Sequence, residues 1–176
     1  LKYVLTDNSR VDFLAHAPLH GFKGWAIKGL QGELEADLAV CTLQGLWATV
    51  ETCCFDTADP ERTTAMSRYF ALPEHPRAAF RLSESSGLQP LTNGGWRTKM
   101  LGVLDFVDIR RQLPVSGTFK VQGERLLCDL QCKWSFKAYG IKAPRLLMLT
   151  VRDIVDIKAH LEFIPQETKD ENDVHP

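Results

Sequence analysis

The chain has 176 residues, 44% of them hydrophobic and 24% charged, which suits one globular domain with a substantial buried core. Its formal net charge is -1 and no run of Lys or Arg exceeds two, so the basic footprint of a nucleic-acid binder is excluded. No segment approaches the roughly 20 apolar residues of a membrane-crossing helix, and the expectation is a soluble chain that does not span a bilayer.

Leu1, Lys2 and Tyr3 lead directly into the first extended segment. Period-two alternation of apolar and polar residues then predicts strands over 10–17, 33–41, 45–55, 77–83, 97–106, 113–121, 125–136 and 149–163. The last shows the pattern most plainly: Val155, Ile157, Ala159, Leu161 and Phe163 share one face, and Asp156, Lys158, His160 and Glu162 the other. Residues 22–30 also read as extended, with poorer alternation. The long interruption at 56–75 begins with an N-cap candidate, Asp59, followed by Pro60 and Glu61, and predicts a short helix over 59–70 that Pro73 and Pro76 prevent from continuing. Turn chemistry separates the other strands, as at Asn93-Gly94-Gly95, Gly123 and Gly140, and the short spacings favour antiparallel connections. One domain over 3–164 is therefore expected, followed by an acidic, disordered tail over 165–176.

The five cysteines, Cys41, Cys53, Cys54, Cys128 and Cys132, leave at least one thiol unpaired within the chain and show no CxxC spacing. They read as small buried hydrophobes, with Cys53 and Cys54 on opposite faces of a strand. Such usage, with the abrupt start, leans towards a reducing compartment, so a cytoplasmic location is expected, with a periplasmic or secreted one as the alternative. His16 and His20 are four apart but flank a bend, so no metal site is expected. No G-x-S-x-G and no phosphate cradle is present, and the carboxylates at Glu33, Glu35 and Asp37 alternate with Leu34, Ala36 and Leu38 as a solvated sheet face would. An enzyme would have to draw on His16, His20 and Arg62, and none is expected.

The apolar face is the feature that remains. Eight strands closed into an all-β antiparallel barrel would turn it inwards, and a barrel of this size is either filled by side chains or holds one small ligand. The candidate lining residues are Phe13, Ala15, Leu34, Ala36, Val50, Phe80, Leu82, Met100, Leu104, Phe106, Phe119, Leu130, Trp134 and Ile157, with His16 and Arg62 as candidate polar contacts. Leu46, Ala48, Val115 and Leu161 belong to the same inward set.

The order of motifs resembles the YceI-like family of polyisoprenoid-binding proteins over nearly the whole chain. The opening run from Tyr3 to Phe13 with His16, then Gly24 and Gly32-Glu33-Leu34, Phe55-Asp56-Thr57, Arg62, Ser67, Tyr69-Phe70, Pro76, Phe80, Gly102-Val103-Leu104, Tyr139-Gly140-Ile141 and the run from Val151 to Ile157 carry it. The chain departs from the family on the helix, where Arg62-Thr63-Thr64-Ala65-Met66 keeps the Arg and lacks the family's Asp and His. It departs again at 105–110, where the family's Thr-x-His-Gly-Val-Thr segment is replaced. The resemblance implies an eight-stranded lipocalin-like barrel with one inserted helix and no required cofactor. It also implies an isoprenoid quinone, a polyprenol or another long-chain lipid held inside by a non-catalytic carrier. A filled barrel serving as an interaction module is the rival reading, and a homodimer is left open.

Overall fold

The computed structural model describes residues 1–167. Strands β1 (Lys2–Leu5), β2 (Arg10–Ala17), β3 (His20–Ala26), β4 (Leu30–Asp37), β5 (Thr42–Glu51) and β6 (Asp56–Thr57) precede helix α1 (Pro60–Tyr69). After it come β7 (Arg77–Ser85), β8 (Gln89–Pro90), β9 (Trp96–Phe106), β10 (Ile109–Gln122), β11 (Arg125–Ser135), β12 (Arg145–Leu146), β13 (Leu149–Thr150) and β14 (Ile154–Pro165). Hydrogen-bonded neighbours run β1, β4, β5, β7, β9, β10, β11, β14 and back to β1, every pair antiparallel. The result is a closed eight-stranded, all-β, lipocalin-like barrel with one α-helix.

One edge of β14 serves two partners. Phe163–Pro165 face β1, whereas Val155–His160 face β2, which in turn pairs with β3, and β3 with β6. A β2–β3 hairpin therefore takes the place of β1 along half of the barrel's height. No ladder joins β3 to β4 among the described residues, and α1, which follows β6, supplies part of the wall.

The predicted helix forms for the reason its sequence suggests: the Asp59 carboxylate accepts hydrogen bonds from the backbone N–H groups of Glu61 (2.9 Å) and Arg62 (3.4 Å), and Pro60 opens the first turn. Several strand ends differ from the alternation pattern because local polar chemistry stops the ladder. Asp37 accepts from the N–H groups of Ala39 and Val40, which ends β4 four residues before Cys41. Residues 52–54 wind into a 3₁₀ turn, so Cys53 and Cys54 do not lie on opposite faces of a strand as their spacing predicted. The stretch 149–163 is divided: Leu149 and Thr150 pair with Leu146 and Arg145 in a small hairpin, and the barrel strand begins at Ile154. Strand β1, four residues without a long alternating signature, was absent from the predicted set and yet closes the ring. The barrel also extends past residue 164, since Pro165 pairs with Tyr3 and the Gln166 N–H donates to the Lys2 carbonyl at 2.8 Å. The rest of the expected tail, 168–176, lies outside the described residues.

Two apolar clusters divide the interior. One packs Tyr3, Leu34, Ala36, Met100, Phe119, Leu126, Cys128 and Phe163, all buried. The other is built on rings, with Phe22, Phe106, Trp134, Phe136 and Tyr139 joined by Phe13, Phe55 and Phe70.

Candidate ligand-binding cavity

The second cluster borders an internal cavity of about 460 Å³, within the range of small-molecule sites. Its wall is drawn from β2, β5, β7, β9, β10, β11 and β14, with further contributions from β3, β4 and β6, from α1, and from the loop that carries β12. Strand residues reach it by alternation: Val11, Phe13 and Ala15 from β2, Val155, Ile157, Ala159 and Leu161 from β14. Helix α1 reaches it by the 3.6-residue repeat, presenting Arg62, Ala65, Met66 and Tyr69, with Phe70 at the C-cap. Asp and Glu are absent from the wall among the described residues.

Two glycines shape this wall. Gly24 lies opposite Phe13, and a Cβ there would stand 2.2 Å from the Phe13 ring. A Cβ on Gly102 would stand 2.2 Å from the Phe80 ring. Each missing methyl lets a phenylalanine lie flat across the neighbouring strand, and both rings line the cavity.

At the aromatic end Trp134 sits 4.7 Å from the Phe136 ring centroid and 5.3 Å from that of Tyr139, with Phe70 stacked on Phe136 at 6.1 Å. Its indole N–H is buried without an acceptor among the described residues, enclosed by rings. Tyr139 donates its hydroxyl to the Leu104 carbonyl at 2.9 Å, and burial holds its pKa up to about 12, so it is a neutral donor. Burial likewise raises the Cys132 thiol in the wall to about 12, and drives the Cys128 thiol in the packed cluster upwards. Both are protonated, inert side chains at neutral pH.

The polar candidates separate. Arg62 is half-buried at the cavity with its guanidinium 4.9 Å above the Phe22 ring, and it makes no ion pair among the described residues. His16 does not contact the cavity: Phe13 and Ala15 take the inner face of β2, so His16 points out, where its Nε2 lies 2.6 Å from Asp156 Oδ2. His20 lies beside Phe22, ring centroids 6.4 Å apart, so His16, His20 and Arg62 do not converge on one point.

Of the predicted lining residues, Phe13, Ala15, Val50, Phe80, Leu104, Phe106, Leu130, Trp134 and Ile157 border the cavity. Leu34, Ala36, Leu82, Met100 and Phe119 do not: they point inwards as predicted but belong to the packed end of the barrel or lie against it. Alternation assigns a face and cannot assign a height along the axis, so one inward set spans both the packed and the hollow end. Residues missed include Phe22, Phe55, Met66, Phe70, Phe136 and Val151. Met66 and Tyr69 form a stripe with Arg62 at helical spacing, and Phe136 and Val151 are in phase with Trp134 and Val155, whereas Phe55 falls out of phase with Leu46, Ala48 and Val50 and carries no periodic signal.

The 3₁₀ turn that displaces Cys53 and Cys54 has a second effect. It brings their thiols and the Glu51 carboxylate within 4.8 Å of one another, an exposed group of three donors that the sequence pattern did not suggest. Three surface donors fall one short of a closed tetrahedral set. All five cysteines are free thiols.

With this geometry, comparison with solved structures is decisive for the fold. The chain superposes on Burkholderia cenocepacia BcnA with a TM-score of 0.72 at 20% identity, covering 88% of this chain and 95% of that one. A polyisoprenoid binding domain from Saccharophagus degradans, implicated in plant cell wall breakdown, gives 0.75 at 13% identity over 93% and 98%. The Campylobacter jejuni YceI protein gives 0.66 at 13% over 80% and 83%. The fold is that of the YceI-like proteins. No protein-family model and no curated protein matches the chain, so within the YceI-like fold this sequence is a divergent one.

Proposed function

We propose that this YceI-like barrel binds a long apolar molecule of isoprenoid type, a quinone or polyprenol, and carries or sequesters it without a catalytic step or a required cofactor. The observation that carries the proposal is the cavity itself: about 460 Å³ with a wall mostly of aliphatic and aromatic side chains, a few polar or cationic ones such as Lys23, Arg62 and Gln131, and no carboxylate among the described residues. Each methylene buried there contributes about 0.8 kcal/mol, so a chain of such groups is held by the wall alone and needs few polar contacts. That the Saccharophagus degradans domain of the same fold is described as polyisoprenoid binding supports the same ligand class. Arg62, half-buried and over Phe22, is the side chain best placed to meet a polar end of such a molecule.

The rival reading, a barrel filled by its own side chains, suits only the end that holds Met100 and Phe119. Native mass spectrometry of the purified chain, before and after incubation with a long-chain quinone or polyprenol, tests the proposal. A mass increment of one lipid per chain is expected. A chain that neither co-purifies with lipid nor takes one up overturns it.

A further inference from the structure

Three tight turns at the aromatic end of the barrel break the same local rule, and two of them, unlike Val107–Asp108 between β9 and β10, carry exposed apolar tips. In the β12–β13 hairpin Leu146 pairs with Leu149, leaving Leu147 and Met148 as a two-residue loop with φ of +49° and +65°. That is the backbone of a type I′ turn, where Asn-Gly is favoured because both residues must adopt left-handed conformations. In the β2–β3 hairpin Ala17 pairs with His20, and the loop is Pro18 followed by Leu19 at φ +65°, the position that favours glycine in a type II turn. Their side chains are left largely in solvent: Leu19 is 100% exposed, Met148 84% and Leu147 66%. Strain and exposed apolar surface are thus both accepted at these tips.

The two hairpins are joined. The Arg152 N–H donates to the His16 carbonyl at 2.7 Å, and Ala17, Leu146, Leu149 and Val151 pack in one cluster. They also border the cavity, whose wall includes Pro144, Arg145 and Leu146, and the Tyr69 hydroxyl of α1 donates to the Lys142 carbonyl behind the β12–β13 hairpin.

Charge points to what meets this surface. No Asp or Glu occurs from Phe13 to Gly32 or from Ala138 to Arg152. The same stretches carry Lys23, Lys142, Arg145 and Arg152, all exposed and none in an ion pair among the described residues. Asp153 is held by Ser135 and Lys137, Asp156 by Lys133 and His16, and Asp105 by Arg110, while Asp108 in the β9–β10 turn is 88% exposed with His75 3.3 Å away. Exposed leucine and methionine tips on stretches whose exposed charges are unpaired cations are the chemistry of an interfacial membrane anchor.

We infer that this end of the barrel docks on an anionic lipid bilayer, with Leu147, Met148 and Leu19 inserted among the acyl chains and the surrounding cations against the head groups. This rests on the turn tips and not on what fills the cavity. Co-sedimentation of the purified chain with phosphatidylcholine vesicles, with and without phosphatidylglycerol, tests it. Pelleting with the anionic vesicles, weakened by added salt, is the expected result. The double variant Leu147→Asn, Met148→Gly and the single variant Leu19→Gly should each hold or raise Tm, because they suit the turn geometry. Together they should weaken vesicle partitioning by at least about tenfold. Failure of the parent chain to bind anionic vesicles, or undiminished binding by the combined variant, overturns the inference.

Discussion

Gly24 and Gly102 carry no side chain to contribute, yet each sets the attitude of a cavity ring, Phe13 in one case and Phe80 in the other. Gly24→Ala and Gly102→Ala should each destabilise by about 1–3 kcal/mol, because the ring must leave its rotamer or the strands must part, and urea unfolding would measure it. Thiol chemistry offers an independent probe of the interior. Exposed Cys53 should be modified first by a water-soluble disulfide reagent, while buried Cys128 should react only on unfolding. Cys132, its pKa raised to about 12 by burial, should be slow at neutral pH and slower still when the cavity is occupied, as mass spectrometry of the labelled peptides would show.

Elements here are held at their ends more than at their middles. Asp153 fixes the exit of β11, accepting from the Ser135 hydroxyl at 2.6 Å and the Lys137 N–H at 2.8 Å, and Asp156 on β14 accepts from Lys133 and His16. Hydrogen bonding from Ser135 holds the Asp153 carboxyl below its ordinary value, and hydrogen bonds from Lys133 and then His16 do the same for Asp156. A depressed folded-state value means that the stabilisation is complete above the unfolded-state pKa of roughly 3.9 and is lost as pH falls through the folded values. Thermal unfolding should therefore be flat from neutral pH to mildly acidic conditions and fall in the strongly acidic range, and Asp153→Asn should flatten part of that fall. Helix α1 depends in the same way on Asp59, whose replacement by Ala should cost about 1 kcal/mol and, since α1 forms part of the cavity wall, hasten lipid exchange measured by fluorescence transfer.

At the scale of the molecule the barrel is packed at one end and hollow at the other, and ligand should stabilise it as a whole. Saturation with a tight-binding quinone at about 100 times its Kd should add roughly 2.7 kcal/mol, read as a rise in Tm absent for a short water-soluble analogue. Much of this architecture was legible beforehand. Alternation over 10–17, 77–83, 97–106 and 125–136 gave the strands and their inner faces, the Asp59-Pro60 pair gave the helix, and the collinear motifs gave the lipocalin-like barrel. Those are local or one-dimensional properties, fixed by backbone geometry and by which side of a pleat a residue occupies. Tertiary structure alone decided which inward residues meet empty space, because Leu34 and Phe119 obey the same period as Phe13 and Trp134 but sit at a different height in the barrel. It decided that the four residues of β1 close the ring, that a 3₁₀ turn gathers Glu51, Cys53 and Cys54, and that two strained apolar turns emerge side by side at the cavity end. Such features depend on how distant segments register against one another, which no single stretch of sequence encodes by itself.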